Sequence, residues 1–282
     1  MSRNNEERIG ARAAVEGGPP TVPNEGSFSF ATPTEFVELP SGGKYYPEGH
    51  PLHMKDSVEI RYMTAKDEDI LSSKTLLQKG VAIERFLNNV LIDKSIDTNT
   101  LYIGDKNAIL VAARITGYGG DYTTRTTCPA CANSSDFTFD LEQLRMYKAD
   151  KWGDFDIKEH ADDRFLITLP QTKVTVEVRL LTSKDEIYLS KLSANKKKKN
   201  LPETTMTDLL RMFVVSVNGY TDPKSIQAFI DGLPAKDSRY LRSAYEKVIP
   251  NVDMSQLFSC ESCGFEQEVT VPFTADFFWP KR

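Results

Sequence analysis

Hydrophobic and polar positions alternate in part, with a period of two, in four short stretches of the chain. These stretches are rich in Val, Ile, Leu and aromatic residues and span residues 36–40, 58–63, 165–170 and 174–181. Such alternation predicts β-strands that bury one face. Apolar residues recur with helical spacing over 75–92, and a second helix is predicted over 104–115. The pattern therefore predicts an α+β protein.

The order of these elements repeats along the chain. Residues 58–71, VEIRYMTAKDEDIL, and residues 176–189, VEVRLLTSKDEIYL, are identical at eight of fourteen positions, where chance would give about one. Further on, Arg85 matches Arg211 and Asp105 matches Asp237. The sequence thus predicts an internal duplication of a strand–helix–hairpin unit, with a first repeat over 31–150 and a second over 151–282.

The two ends of the chain differ from the repeats in composition. Residues 1–30 are rich in Gly, Pro, Asn, Glu and Arg and show no periodicity, which predicts a disordered N-terminal arm. The arm is a plain tether or orders on a partner surface. The aromatic segment 275–280, ADFFWP, belongs to the core or anchors a neighbouring subunit. Both pairs of interpretations stay open at this point.

Four cysteines form two Cys-x-x-Cys pairs: Cys128 with Cys131, and Cys260 with Cys263. One such pair fits half of a metal site, a redox couple or two buried thiols. Two pairs that occupy the same place in both repeats favour a single tetrahedral Zn²⁺ site with four thiolate ligands. Such a zinc ion would be structural, because protein ligands fill all four positions and leave none for a substrate. The predicted zinc would join the two halves.

Charge and composition narrow the classes of function. A net charge of −5 argues against a surface that binds phosphate backbones. No membrane span or secretory signal is recognisable, so we expect a reducing cytoplasm, where paired cysteines favour metal over disulfides. The run Lys196–Lys199 is interpreted as a solvated loop.

Catalytic motifs are not recognisable in the sequence. His50, His53 and His160 form no metal or base–nucleophile pattern. The repeated Lys-Asp-Glu motif is explained by helix starts with Thr64 and Thr182 as N-caps. We therefore expect no enzymatic activity.

Three features carry a resemblance to a known family. They are residues 38–47, ELPSGGKYYP, residues 63–71, MTAKDEDIL, and the Cys-x-x-Cys pair followed by a short acidic alternating strand. With these the chain resembles, over residues 36–276, the T4-type phage baseplate hub family, the small hub or hub-assembly proteins of contractile-tailed phages. The resemblance implies a structural or assembly role without catalysis, in the virion tail baseplate and, during assembly, in the host cytoplasm.

The sequence thus leads to one main hypothesis and two alternatives. The main one is a zinc-clamped baseplate protein that contacts other tail proteins through its two ends, and that could also contact further copies of itself. A zinc-ribbon protein that binds nucleic acid through Lys196–Lys199 is the first alternative. A thiol oxidoreductase that uses Cys128 and Cys131 is the second.

Overall fold

The structure is a computed structural model, and it describes residues 31–161, 163–202, 204–272 and 275–278. The predicted N-terminal arm, residues 1–30, lies outside them, as do Phe273, Trp279 and Pro280. From Pro33 onward the chain packs as one unit that contains both predicted repeats. Helices and small antiparallel sheets are mixed in it, as the sequence pattern predicts.

The first half begins with two antiparallel strands whose inward side chains, Val37, Val58 and Ile60, are buried. Their alternation with polar residues explains why this segment is extended. Helices follow, and a hairpin and a short strand close the half. The elements are β1 (Thr34–Glu38), β2 (Ser57–Arg61), α1 (Ala65–Ser72), α2 (Lys74–Lys79), α3 (Ala82–Val90), α4 (Ile103–Tyr118), β3 (Asp121–Thr127), β4 (Ser134–Asp140) and β5 (Arg145–Tyr147).

The second half also begins with strands, continues with helices and ends in a hairpin, but its sheet is larger. The elements are β6 (Ile157–Ala161), β7 (Arg164–Thr168), β8 (Thr175–Arg179), α5 (Ser183–Lys198), α6 (Thr205–Phe213), β9 (Val214–Val217), α7 (Pro223–Gly232), α8 (Ala235–Val248), β10 (Asn251–Asp253), β11 (Ser255–Ser259) and β12 (Glu266–Thr270). Unlike in the first half, β9 lies between two of the helices, and the short strand β10 precedes the hairpin. Strands β6, β7, β8 and β9 pair in that order. In the first half Leu91 takes the position of β9, because it forms an isolated bridge with Ile60 of β2.

One predicted helix is divided in the structure. Apolar spacing predicts a continuous helix over 75–92, but Gly80 ends α2 in the left-handed region at φ 68°. A new helix, α3, begins at Ala82 and buries Phe86, Leu87 and Val90. Glycine is the residue that adopts this conformation without steric cost, so the break is encoded locally.

The same hydrogen-bonded network opens α1 and α5. Arg61 donates to both carboxylate oxygens of Asp67, at 2.6 and 2.9 Å, and Asp67 also accepts from the backbone and hydroxyl of Thr64. The equivalent bonds in the second half join Arg179, Thr182 and Asp185. Both helices therefore start with a capping box in which an arginine from the preceding strand holds the acidic residue. The Lys-Asp-Glu motif is thereby explained by capping, as predicted.

A second recurring network involves the buried aspartates at the starts of α4 and α8. Asp105 accepts hydrogen bonds from the backbone and hydroxyl of Ser41 and from the Tyr46 hydroxyl. Asp237 accepts from the backbone N–H groups of Gln171 and Thr172. Both carboxylates are fully buried, and each fixes a loop that follows a strand, β1 in the first half and β7 in the second.

The two halves share one hydrophobic core. Strand β5 of the first half pairs with β10 of the second, and Val252 lies opposite Met146. Helix α4 also approaches the second half closely at Gly104, where a Cβ atom would lie 1.8 Å from the Pro250 carbonyl oxygen. Glycine is required there because no side chain fits.

The aromatic residues near the C-terminus belong to this core. Phe277 is fully buried and Phe278 is 3% exposed. The backbone carbonyl of Phe277 accepts a hydrogen bond from Nε of the buried Arg114, at 2.7 Å. Of the two interpretations of this segment, core or anchor for a neighbouring subunit, the structure supports the core for Phe277 and Phe278, because both side chains are buried within the chain.

Candidate metal centre

Both cysteine pairs lie in the turns of antiparallel hairpins. Strands β3 and β4 pair up to Thr127 opposite Ser134, and the turn between them carries Cys128 and Cys131. Strands β11 and β12 pair up to Ser259 opposite Glu266, and their turn carries the other two cysteines. Each turn therefore has its first cysteine directly after a strand.

The two turns have the same internal hydrogen bonds. The Cys128 N–H donates to the Asn133 carbonyl at 2.8 Å, and the Ala132 N–H donates to the Cys128 carbonyl at 2.9 Å. In the second turn the Cys260 N–H donates to the Phe265 carbonyl at 2.9 Å, and the Gly264 N–H donates to the Cys260 carbonyl at 2.8 Å. The backbone thus places two sulfur atoms in the same way in each half.

The four sulfur atoms meet at one point between the hairpins. The Sγ atoms of Cys128 and Cys263 lie 3.8 Å apart, and so do those of Cys131 and Cys260. All four lie within 4.8 Å of one another. The four residues singled out by the sequence are therefore brought together, each close pair joining one half of the chain to the other.

This donor set fits a tetrahedral ion. Four sulfurs each about 2.3 Å from a central zinc would be separated by about 3.8 Å. A disulfide needs an S–S distance of about 2.05 Å, and the four thiols are free. Thiolates in a tetrahedral arrangement are typical ligands of Zn²⁺.

Neighbouring side chains hold the two hairpins together beside the cysteines. The Asn133 side-chain amide donates to the Ser262 hydroxyl at 2.6 Å. The rings of Phe137 and Phe258 meet edge to face with centroids 5.0 Å apart. The cluster is therefore shaped by packing and polar contacts as well as by the sulfur atoms.

Comparison with known protein families identifies the family to which the chain belongs. The model of the T4 bacteriophage base plate protein family matches residues 32–279. The chain belongs to this baseplate family. The match contains both hairpins and covers most of the chain, which confirms the resemblance to T4-type baseplate proteins. No curated protein and no solved structure matches the chain.

Membership in the baseplate family gives the chain a structural role in the phage tail. A baseplate protein is part of the virion and contacts other tail proteins there. No helix in the described ranges has the length and apolar character needed to cross a membrane.

The protonation of the thiols depends on the turn backbone. Burial by itself raises the pKa of the Cys260 thiol, but N–H groups of Cys263 and Ser262 point at its sulfur and outweigh burial. The pKa of Cys260 is thereby lowered to about 7. The Phe265 N–H lowers the pKa of Cys263, but the neighbouring sulfurs of Cys131 and Cys260 outweigh it and raise that pKa to about 12. N–H groups that favour a thiolate also favour metal binding, because a metal binds the deprotonated sulfur.

The arrangement argues against the oxidoreductase alternative. A thioredoxin-like pair has its first cysteine at the N-terminus of a helix, which lowers the pKa of the attacking thiol. Here Cys128 and Cys131 lie between two strands, and the same is true of Cys260 and Cys263.

The histidines do not join the cysteine cluster. His50 contacts the Thr100 hydroxyl at 2.8 Å and stacks on Tyr46, and His53 contacts the Tyr46 carbonyl at 2.6 Å. These contacts brace the loop between β1 and β2. His160 is exposed on β6.

The lysine run is a helix end, so its interpretation as a loop is wrong. Residues 196–198 form the last turn of α5, and Lys199 is its C-cap. Positive charges complement the negative end of the helix dipole there. In addition, Lys196 Nζ lies 2.5 Å from the carboxylate of Asp208. This lysine is therefore engaged in an ion pair within the fold.

Two features of the structure have no clear sequence signal. Asn133 and Ser262 lie at different positions of their two turns, so the repeat does not relate them. Lys106 is a charged residue next to the apolar stretch Ala108–Ala113 of α4, and it is buried beside Glu186 of α5. Its neighbours Asp105 and Asn107 are polar, so the sequence does not single it out as a buried lysine.

Proposed function

We propose that the chain is a structural component or assembly factor of the hub region of a contractile-tail baseplate. It consists of two copies of one unit, residues 31–150 and 151–282, and one Zn²⁺ ion joins them through Cys128, Cys131, Cys260 and Cys263. It acts through contacts with other baseplate proteins and not through catalysis. Copies of the chain also contact each other, in the host cytoplasm during assembly or in the finished baseplate.

The observation that carries the proposal is the meeting of four sulfur atoms from two distant hairpins. Each pair of sulfurs at 3.8 Å contains one cysteine from each half. Buried thiols without a common ligand have no need of this spacing, whereas a tetrahedral ion requires it.

A zinc ion in this position would add to the stability of the folded chain. The unfolded chain has no preformed tetrahedron, so the free energy of metal binding contributes to folding. The ion would tie β3–β4 to β11–β12 and thereby fix the first half against the second. With four protein ligands it would have no open position for a substrate.

The recurring networks support the duplication. Asp67 and Asp185 receive the same set of hydrogen bonds from an arginine and a threonine at the same spacing. Asp105 and Asp237 hold equivalent loops from equivalent helices. Two independent networks and two identical turns are expected when one unit has been copied.

The hub placement rests on the resemblance of three segments to the T4-type baseplate hub family. Their residues have structural tasks, since Ser41 and Tyr46 bind Asp105 and Asp67 caps α1. These segments therefore mark a shared fold.

Serine variants of the cysteines test the zinc clamp. We expect Cys128→Ser and Cys260→Ser each to lose the zinc ion and to lower the melting temperature, because three thiolates hold the ion less tightly than four. Thr127→Ser, an exposed change next to the site, is the matched control and should keep both. Unchanged zinc content in either cysteine variant contradicts the clamp.

Localisation in particles tests the hub assignment separately. A tagged chain should be found at the centre of purified baseplates or of their assembly intermediates by electron microscopy. A label at the periphery contradicts the hub assignment. A chain absent from every intermediate contradicts the assembly role as a whole.

A further inference from the structure

A cavity of about 380 Å³ opens between the helices of the two halves, away from the cysteine cluster. Its wall is formed by α2, α3, α4 and α5 and by Phe278. Most of the lining is apolar, with Ile83, Leu87, Leu110 and Ile187 among the contributing residues. Ligand sites are commonly apolar clefts of roughly 300–1,000 Å³ at the junction of two structural units.

A buried ammonium group supplies a charged hydrogen-bond donor in the wall of this cavity. Lys106 lines it with a side chain that is 9% exposed, and its Nζ contacts one carboxylate oxygen of Glu186. An ammonium group has three N–H donors, so one contact leaves donors for a further acceptor. Burial lowers the pKa of Lys106 to about 8, which is the effect expected for a cation removed from water.

Charges around the opening add to the preference for an anion. Lys79 and Lys191 line the cavity, and neither forms an ion pair with a described residue. Of the two acidic residues in the lining, Glu186 is engaged with Lys106, and Glu84 of α3 accepts a hydrogen bond from Asn99. Apart from the Lys106–Glu186 pair, the lining therefore contains two lysines and one carboxylate, and the net charge of these three residues is positive.

We propose that this cavity binds a small amphipathic ligand, whose apolar body packs between α3, α4 and α5 and whose carboxylate binds Lys106. The site goes beyond the structural role of the chain and does not depend on the zinc ion. Because its walls come from both halves, an occupant would contact α3 and α4 of the first and α5 of the second at once.

Calorimetric titration of the full-length protein with sodium decanoate tests the site. We expect one saturable site, and binding of the uncharged analogue decanamide at least about tenfold weaker. Lys106→Met should weaken the binding of decanoate by about tenfold and change the dissociation constant of decanamide by no more than about twofold. Glu186→Gln should strengthen the binding of decanoate, because it removes the carboxylate that competes with the ligand for Lys106.

Two further variants keep the test independent of folding defects. Ile187→Trp should fill the cavity and abolish binding of both probes, while Tyr188→Ala, a change at the exposed neighbour on α5, should alter neither. The inference is overturned if decanoate shows no saturable binding up to about 1 mM. It is also overturned if decanoate and decanamide bind equally, or if a folded Lys106→Met variant binds decanoate as the unmodified protein does.

Discussion

The Sγ atoms of Cys131 and Cys260 lie 3.8 Å apart although 129 residues separate the two cysteines along the chain. Chain connectivity does not enforce this distance, since each cysteine is placed by its own hairpin. It results from the way the two halves pack. Any change that disturbs the packing of the halves should therefore also disturb the cysteine cluster.

Removal of the helix-start carboxylates should destabilise both halves. We expect Asp67→Asn and Asp185→Asn each to reduce the free energy of unfolding by about 2–4 kcal/mol, because each leaves an arginine without its bidentate partner. Urea denaturation at neutral pH measures the change. Asp69→Asn, an exposed change on the same helix, is the control and should stay within about 0.5 kcal/mol.

The effect of these carboxylates should depend on pH. Burial raises the pKa of Asp67 and of Asp185, but hydrogen bonds from the arginine and threonine outweigh it and hold both below the ordinary 3.8. A carboxyl with a lowered pKa stabilises the fold above its unfolded-state pKa and loses this contribution as the pH falls through the folded-state value. The stability difference between Asp67→Asn and the unmodified chain should therefore shrink below pH 3.8. A difference that stays constant into acid contradicts the ionic explanation.

The contact between the halves at Gly104 should tolerate no side chain. A Cβ atom there would lie 1.8 Å from the Pro250 carbonyl oxygen, so we expect Gly104→Ala to cost about 3 kcal/mol or more. Gly232→Ala is the matched control, because that helical glycine has open space around it and alanine favours helix by about 0.5–1 kcal/mol. Equal stability of the two variants in thermal unfolding argues against close packing at this junction.

The two cysteine turns should respond in opposite directions to exchange of one residue. Ala132 and Gly264 occupy the same position with φ 57° and 68°. Alanine pays a steric cost in this region and glycine does not. We expect Gly264→Ala to lower stability by about 1–2 kcal/mol and Ala132→Gly to raise it by about 1 kcal/mol. Loss of stability in both variants would show that the turns are not equivalent.

Much of this fold is readable in the sequence because local and global signals agree. Alternation predicts β1, β2, β7 and β8, and the threonine before each Lys-Asp-Glu motif predicts the starts of α1 and α5. The equal offset of the cysteines in both repeats predicts their meeting. These features depend on short-range chemistry or on comparison of the repeats.

Other elements are set by tertiary contacts that leave weak traces in the sequence. Strand β6, IKEHA, buries Ile157 alone and shows no alternation, so its strand character comes from pairing with β7. The lysine run lacks apolar periodicity, yet α5 continues through it, and Lys196 bonds to Asp208. The burial of Lys106 depends on α5, which is distant in sequence.

The zinc content of the unmodified full-length protein is the most direct test of the central claim. Elemental analysis of protein purified without added metal should give about one zinc ion per chain, and thiol reagents should react with the four cysteines only after a chelator removes the ion. Chelation should lower the melting temperature at the same time. A metal-free protein with four reactive thiols and an unchanged melting temperature would contradict the account.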